Sequence, residues 1–158
     1  MKTNQLEKRA NKAHLKYRKT KEALILKVPT PILYTAKGLI AQTSTVDYTG
    51  LLDGGTFLAF DAKETAVKTS FPLANIHDHQ LQYLEFVENL GGIGFFLIHF
   101  KKVYTHQAFV TPLDIVKYYW YESRRKSIPI DKFKVEWLVD IDNYLPKVIE
   151  LFNIKQEK

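Results

Sequence analysis

The chain has 158 residues, 46% hydrophobic and 25% charged, which fits one folded domain and excludes a disordered chain. It contains no cysteine, so disulfides, thiolate zinc sites and a cysteine nucleophile are excluded together. The formal charge is a modest +6, and no apolar run approaches the roughly 20 residues that span a bilayer.

The charge is concentrated at one end. Residues 1–27 hold nine Lys and Arg against two Glu, a local charge of +7 that leaves −1 for residues 28–158. Such asymmetry points to an anionic partner, nucleic acid or an acidic membrane surface, or else to a solubilising helix face. The opening MKTNQLEKRANK lacks the apolar stretch of a secretory signal, so a cytoplasmic protein is expected.

Residues 4–22 read as a helix, because Leu6, Ala10, Ala13 and Tyr17 recur on one apolar stripe. Lys8, Lys12, Lys16 and Lys19 form a separate basic stripe, while Glu7, Asn11, His14 and Arg18 line the edge of the buried face. Residues 23–28 (ALILKV) read as a strand stopped by Pro29 and Pro31. Residues 32–42 are consistent with a ribbon turning at Gly38. TSTVDYTGLL and TFLAFDAKET flank Asp53-Gly54-Gly55 as two hairpin strands. Asn75 is placed to cap a helix over 76–90 that stops at Gly91. Ile93–Phe100 is almost wholly apolar, the pattern of a central strand buried on both faces, and Val103–Val110 can pair with it. Thr111-Pro112 opens a helix to about Tyr121. A basic irregular stretch (Arg124, Arg125, Lys126) precedes a short strand near 134–139, and a last helix runs over 143–152. No internal repeat is present.

The chemistry lies in 43–64. Period-two alternation puts Asp61 and Lys63 on one strand face, with Asp47 on the partner strand across the turn. Two carboxylates and an ammonium converging at a sheet edge suit hydrolysis of a phosphodiester with Mg²⁺, a hard cation held by a few carboxylate oxygens. A neighbouring lysine can orient the attacking water or stabilise the charged transition state. D-x-K alone also describes a salt-bridged surface ladder, but here it adjoins Phe57, Leu58, Ala59 and Phe60, where an unpartnered charge is costly.

PTP at 29–31, TVDYTG at 45–50, FDAKET at 60–65, TSFPLANIHDHQ at 69–80 and GGI at 91–93 together resemble the RecU Holliday junction resolvases, members of the PD-(D/E)xK nuclease superfamily. The resemblance runs in order over residues 6–100, with a weaker echo at 125–128. It implies an α/β restriction-endonuclease-like core, a central mixed sheet flanked by helices, in one nuclease domain over 1–158. It also implies a symmetric homodimer that cuts four-way DNA junctions with Mg²⁺, or Mn²⁺ in its place. By resemblance Asp47 is the first-motif carboxylate, Asp61 the second-motif metal ligand, Lys63 the catalytic lysine, and Glu7 the helix glutamate completing the metal set. Two features depart from the family. Asp61 stands where glutamate is frequent, and the stretch from Pro31 to Asp47 is shorter than usual, which shortens the ribbon (32–44) that serves as a stalk entering the junction. The basic N-terminal extension common in the family is nearly absent.

Gln80 falls in register with Ile76, Tyr83 and Val87; a glutamine there faces the site in related nucleases, and a satisfied core amide is the other reading. His77 and His79 lie on different helix faces, and His99 and His106 are isolated, so no histidine metal site is expected. Thr69, Ser70 and Asn75 can donate to phosphates, or serve as loop and cap residues. Gly91, Gly92 and Gly94 fit a helix stop and tight packing. Tyr118, Tyr119, Trp120 and Tyr121 suit core or interface better than base stacking.

The expected function is a Mg²⁺-dependent endonuclease resolving four-way junctions by paired nicks, gripping phosphates through Lys8, Lys12, Lys16, Lys19, Ser70, Arg125 and Lys126. Recombinase or branch-migration proteins are candidate partners, and a nucleoid-associated or phage-encoded protein fits. A restriction-like or repair nuclease of the same fold, and a non-catalytic recombination accessory protein, are the alternatives.

Overall fold

The computed structural model describes residues 4–41 and 45–153. The first helix, α1 (Gln5–Lys19), is capped by Asn4, whose side chain accepts from the Glu7 amide. It ends at Thr20, and Lys21 turns the chain at φ 61°. Leu6, Ala10, Ala13 and Tyr17 are all buried as the stripe requires, and Lys8, Lys12, Lys16 and Lys19 are exposed. His14 departs from expectation. It is buried among Tyr48, Phe60 and Tyr144 rather than lining the edge.

Six strands form one sheet: β1 (Ala23–Lys27), β4 (Tyr48–Leu52), β5 (Phe57–Thr65), β7 (Ile93–Phe100), β8 (Gln107–Pro112) and β10 (Leu138–Asp140), in that spatial order. β5 and β7 are parallel and every other pair is antiparallel, so the sheet is mixed. This is the α/β architecture that the resemblance implies, consistent with a restriction-endonuclease-like fold. All eight residues of β7 are buried: α2 (Asp78–Asn89) packs on one face, and Phe60, Tyr144 and Phe152 meet Phe95 on the other. Phe60, Phe95 and Tyr48 stack on the α1 side, with ring centroids 4.7 and 4.9 Å apart. Phe96, Ile98, Leu81 and Leu84 fill the α2 side. Gly94 lets α2 lie close: a Cβ there would sit 2.9 Å from the Leu84 carbonyl oxygen.

β2 (Ile32–Thr35) and β3 (Gly38–Ala41) form a separate antiparallel ribbon. Ile32, Leu33, Tyr34, Leu39 and Ile40 are exposed on it, Tyr34 by 90%. The remaining part of the expected stalk, residues 42–44, lies outside the described residues.

Several local expectations are corrected; the strand expected near 134–139 is confined to β10, because Val135–Trp137 forms a 3-10 turn before it. α2 begins at Asp78, capped by His77 in a box with Gln80, because Leu73–Asn75 forms a 3-10 turn of its own. Gly91, at φ 95°, follows its end as expected. Thr111 and Pro112 stay in β8, where the Thr111 hydroxyl donates to the Phe109 carbonyl, and α3 (Leu113–Lys117) opens only after them. Tyr118–Glu122 continues α3 as a π-helical turn that buries Tyr119 and exposes Tyr118 and Tyr121. β6 (Ser70–Pro72) and β9 (Ser127–Pro129) pair antiparallel, a contact of three-residue segments with no period to signal it. α4 (Leu145–Leu151) closes the described chain with Pro146 in its first turn, as anticipated. No helix among the described residues is long and apolar enough to cross a membrane.

Candidate active site

Register builds the site. Tyr48 pairs with Phe60 where β4 begins, so Asp47, one residue before, meets Asp61 where the β4–β5 ladder has ended. Each aspartate then takes a backbone donor from the other strand. Asp47 N–H donates to Asp61 Oδ1 at 2.9 Å, and Ala62 N–H donates to Asp47 Oδ2 at 2.9 Å. These reciprocal bonds leave one oxygen of each carboxylate for other partners.

Asp61 is almost fully buried, at 1% exposure. Gln80, from the first turn of α2, donates through Nε2 to its Oδ1 at 3.3 Å and accepts the His77 amide on Oε1. Gln80 therefore faces the carboxylate and completes its own helix cap. Lys63 follows on the same face, with Nζ 2.9 Å from Asp61 Oδ2. That ion pair misses hydrogen-bond geometry, and Oδ2 has no hydrogen-bond donor among the described residues. Burial, and next the Asp47 charge, push the Asp61 carboxyl up from its usual 3.8 to about 7 against the pull of Lys63.

Lys27, which no sequence motif marks, also belongs to the site. Its Nζ lies 2.7 Å from Glu7 Oε1 and 3.2 Å from Asp47 Oδ1, and 4.9 Å from the Tyr48 ring centroid. Burial alone would lower its pKa, but the Glu7 hydrogen bond and the Asp47 charge outweigh that and raise it. A signal existed: in ALILK the alternation puts Lys27 on the face of Ala23 and Ile25, which points at α1. An ammonium bridging Glu7 and Asp47 stands where charge neutralisation is needed.

The structure thus joins Asp47, Asp61, Lys63 and Gln80 directly, and reaches Glu7 through Lys27. Among the described residues no three carboxylate or histidine side chains are already gathered as a metal cage. The donor chemistry nevertheless fits a hard divalent cation. Asp61 Oδ2 is a buried oxygen whose one near partner is the Lys63 ammonium, and three carboxylates stand against two ammonium groups. An added cation would offset the burial and the Asp47 charge that together raise Asp61.

The expected phosphate contacts divide into two groups. The four α1 lysines are exposed along one helix. Ser70 is half-buried in β6, which pairs with β9 just after exposed Arg125 and Lys126, and Leu73 N–H donates to the Lys126 carbonyl at 3.0 Å. Two segments over 50 residues apart are thereby joined. His77 and His79 stack on each other, ring centroids 5.6 Å apart. A cavity of about 740 Å³ between Glu88, Leu113, Trp137 and Phe152 contains none of the site carboxylates.

Comparison with known proteins identifies the family. The family model described as Recombination protein U matches residues 1–156. The Holliday junction resolvase RecU of Oenococcus oeni is 33% identical over 171 residues, covering 94% of this chain and 85% of its own. Its namesake in Ligilactobacillus salivarius is 35% identical over 147 residues, covering 84% and 67%. That of Staphylococcus carnosus is 34% identical over 144 residues, covering 82% and 68%. The match extends from before α1 to beyond α4 and takes in every residue of the site, and the chain belongs to the RecU family.

Proposed function

We propose that this chain is a structure-specific DNA endonuclease that resolves four-way junctions with a divalent metal, Mg²⁺ by preference, through paired symmetric nicks. The observation that carries the reading is the interlocked pair Asp47 and Asp61 at the open end of β4 and β5, with Lys63 2.9 Å from Asp61 Oδ2.

Asp47 and Asp61 would hold the cation, with Glu7 as the third carboxylate. When bound, such a cation neutralises the scissile phosphate and makes hydroxide accessible near neutral pH. The protein's own groups do the positioning. The two backbone bonds fix both aspartates, and Gln80 keeps Asp61 Oδ1 turned toward α2. Lys63, 15% exposed, presents a fixed ammonium where a phosphate oxygen or attacking water would lie. Lys27 balances Glu7 and Asp47.

Substrate selection draws on three surfaces. The α1 lysines and the Ser70–Lys126 region suit phosphate contact, and the β2–β3 ribbon offers exposed apolar side chains to the open centre of a junction. Paired nicks call for two equivalent sites related by a two-fold axis, hence a homodimer. Leu24, Leu51 and Phe57, consecutive partners across β1, β4 and β5, form an uncovered apolar row that supports self-association. A cytoplasmic, nucleoid-associated setting with recombinase or branch-migration partners accords with this activity.

The test is a labelled four-way junction beside a linear duplex of the same sequences, with Mg²⁺, Mn²⁺ or chelator. Metal-dependent cutting of the junction at symmetric positions, with the duplex spared, is expected. Equal cutting of both would leave a nuclease without junction selectivity, and no cutting with any divalent metal would leave a DNA-binding accessory protein.

A further inference from the structure

Glu64 follows Lys63 and, by the alternation of β5, sits on the opposite face of the sheet, against α1. Its Oε1 accepts the backbone N–H of Leu6 at 2.9 Å across 58 residues of chain. A helix leaves its first N–H groups without acceptors of its own. In α1 Asn4 Oδ1 takes the Glu7 N–H at 2.8 Å and Glu64 takes the Leu6 N–H beside it. A carboxylate at a helix N-terminus is further favoured by the helix dipole. The two bonds pin the backbone on which Glu7 is mounted, and the Glu7 carboxylate reaches Lys27 beside Asp47.

Glu64 is itself backed by His99, its partner in the β5–β7 register. The His99 Nε2 is 2.9 Å from the Tyr104 carbonyl oxygen; a carbonyl only accepts, so Nε2 carries the hydrogen. The other nitrogen, Nδ1, is buried 3.7 Å from Glu64 Oε1 with no hydrogen-bond partner among the described residues. The Glu64 carboxylate is therefore enclosed between the start of α1 and a side chain from the central strand.

We propose that Glu64 is a positioning residue for the metal site, setting the first turn of α1 and through it the reach of the Glu7 carboxylate, with His99 as its backing. This rests on the assignment of Glu7 to the metal. A residue that merely capped the helix would lower stability when removed and leave metal affinity alone. A positioning residue changes metal affinity, typically tenfold or more for groups that orient ligands.

The experiment uses the full chain. Mn²⁺ binding without DNA is measured by calorimetry, and exchange of the α1 first-turn amides is followed in metal-free protein. The Mg²⁺ dependence of junction cleavage is measured in parallel. Glu64→Ala should weaken Mn²⁺ binding about tenfold, speed exchange in the first turn, and raise the half-saturating Mg²⁺ by a similar factor. Its rate at saturating Mg²⁺ should stay within about twofold of wild type. Glu64→Gln, which keeps an acceptor for Leu6, should recover most of the affinity. In a Glu7→Gln background, Glu64→Ala should add less than about twofold, because the effect travels through Glu7. Should Glu64→Ala fail to fold, Glu64→Asp, whose shorter arm loses Leu6, carries the same expectation. If Glu7→Gln weakens Mn²⁺ binding while Glu64→Ala leaves it unchanged, or if the two effects simply add, the positioning role is overturned. If Glu7→Gln leaves Mn²⁺ binding unchanged, the assignment of Glu7 falls, and this inference with it.

Discussion

Asp61→Asn separates what the buried carboxylate costs from what it does. The folded protein holds Asp61 near pKa 7 and the unfolded chain near 3.8, because burial and Asp47 disfavour its charge. Between those values unfolding releases a proton, so this group lowers stability progressively as pH rises from about 4 to about 7, and the loss is constant above that. The full cost at alkaline pH is at most roughly 4 kcal/mol, at about 1.4 kcal/mol per pH decade. Asparagine keeps an oxygen for the Asp47 amide and for Gln80, but it turns an amide toward Lys63 and returns part of the gain. Metal-free Asp61→Asn should therefore be about 2 kcal/mol more stable than wild type at pH 8 and equal to it near pH 4. Urea denaturation across that range, with chelator present, reads the difference directly, and titrating groups away from the site cancel. Saturating Mg²⁺ should close the gap, since it binds the wild-type folded state alone. A gap that does not change with pH, or a variant less stable at pH 8, would refute the electrostatic account of the site.

Three further outcomes follow from other parts of the molecule. Burial pushes the His14 imidazole from 6.5 to about 4, with Tyr144 hydroxyl 2.7 Å from Nε2 and Tyr48 and Phe60 edge-on. The unfolded chain gains this proton below pH 6.5 and the folded chain only below about 4, so stability falls through that window by up to about 3 kcal/mol. His14→Gln should flatten that fall in urea titrations, and an unchanged slope would contradict it. Lys27→Met leaves Glu7 and Asp47 facing one another, which should cost metal-free protein about 1 kcal/mol, a small figure because Lys27 is 44% exposed. Melting with and without Mg²⁺ checks it: the metal should restore the loss. Junction binding should weaken steeply with salt, and Lys12→Ala with Lys16→Ala should lower the slope of log Kd against log salt by roughly two. A slope equal to wild type would move the phosphate grip elsewhere.

Much of this was legible where one local rule governs a segment. The Asp-Gly turn set the β4–β5 pairing, and alternation then placed Asp61 with Lys63 and brought Asp47 opposite. The almost wholly apolar run announced β7, and the 4-3-4 spacing announced the buried face of α1. What escaped depends on contacts between distant segments. Lys27 lies 20 residues from both Glu7 and Asp47, and only the completed β1–β4 pairing beneath α1 shows it between them. The link of Ser70 to the 125–128 stretch rests on three-residue strands, too short to show a period. Helix spacing puts His14 at the polar edge, but its ring reaches an aromatic pocket assembled from β4, β5 and the segment before α4. His77 displaced Asn75 as cap because the chain spends three residues in a 3-10 turn first.

Lys63 tests the central claim most directly, being the site's one ammonium beside the buried aspartate. Single-turnover cleavage of an end-labelled four-way junction in saturating Mg²⁺ is to be compared for wild type and Lys63→Ala, with junction binding measured in Ca²⁺. The account predicts paired nicks by wild type and a loss on the order of a thousandfold in the variant, with binding within about twofold. Undiminished cleavage by Lys63→Ala would contradict it.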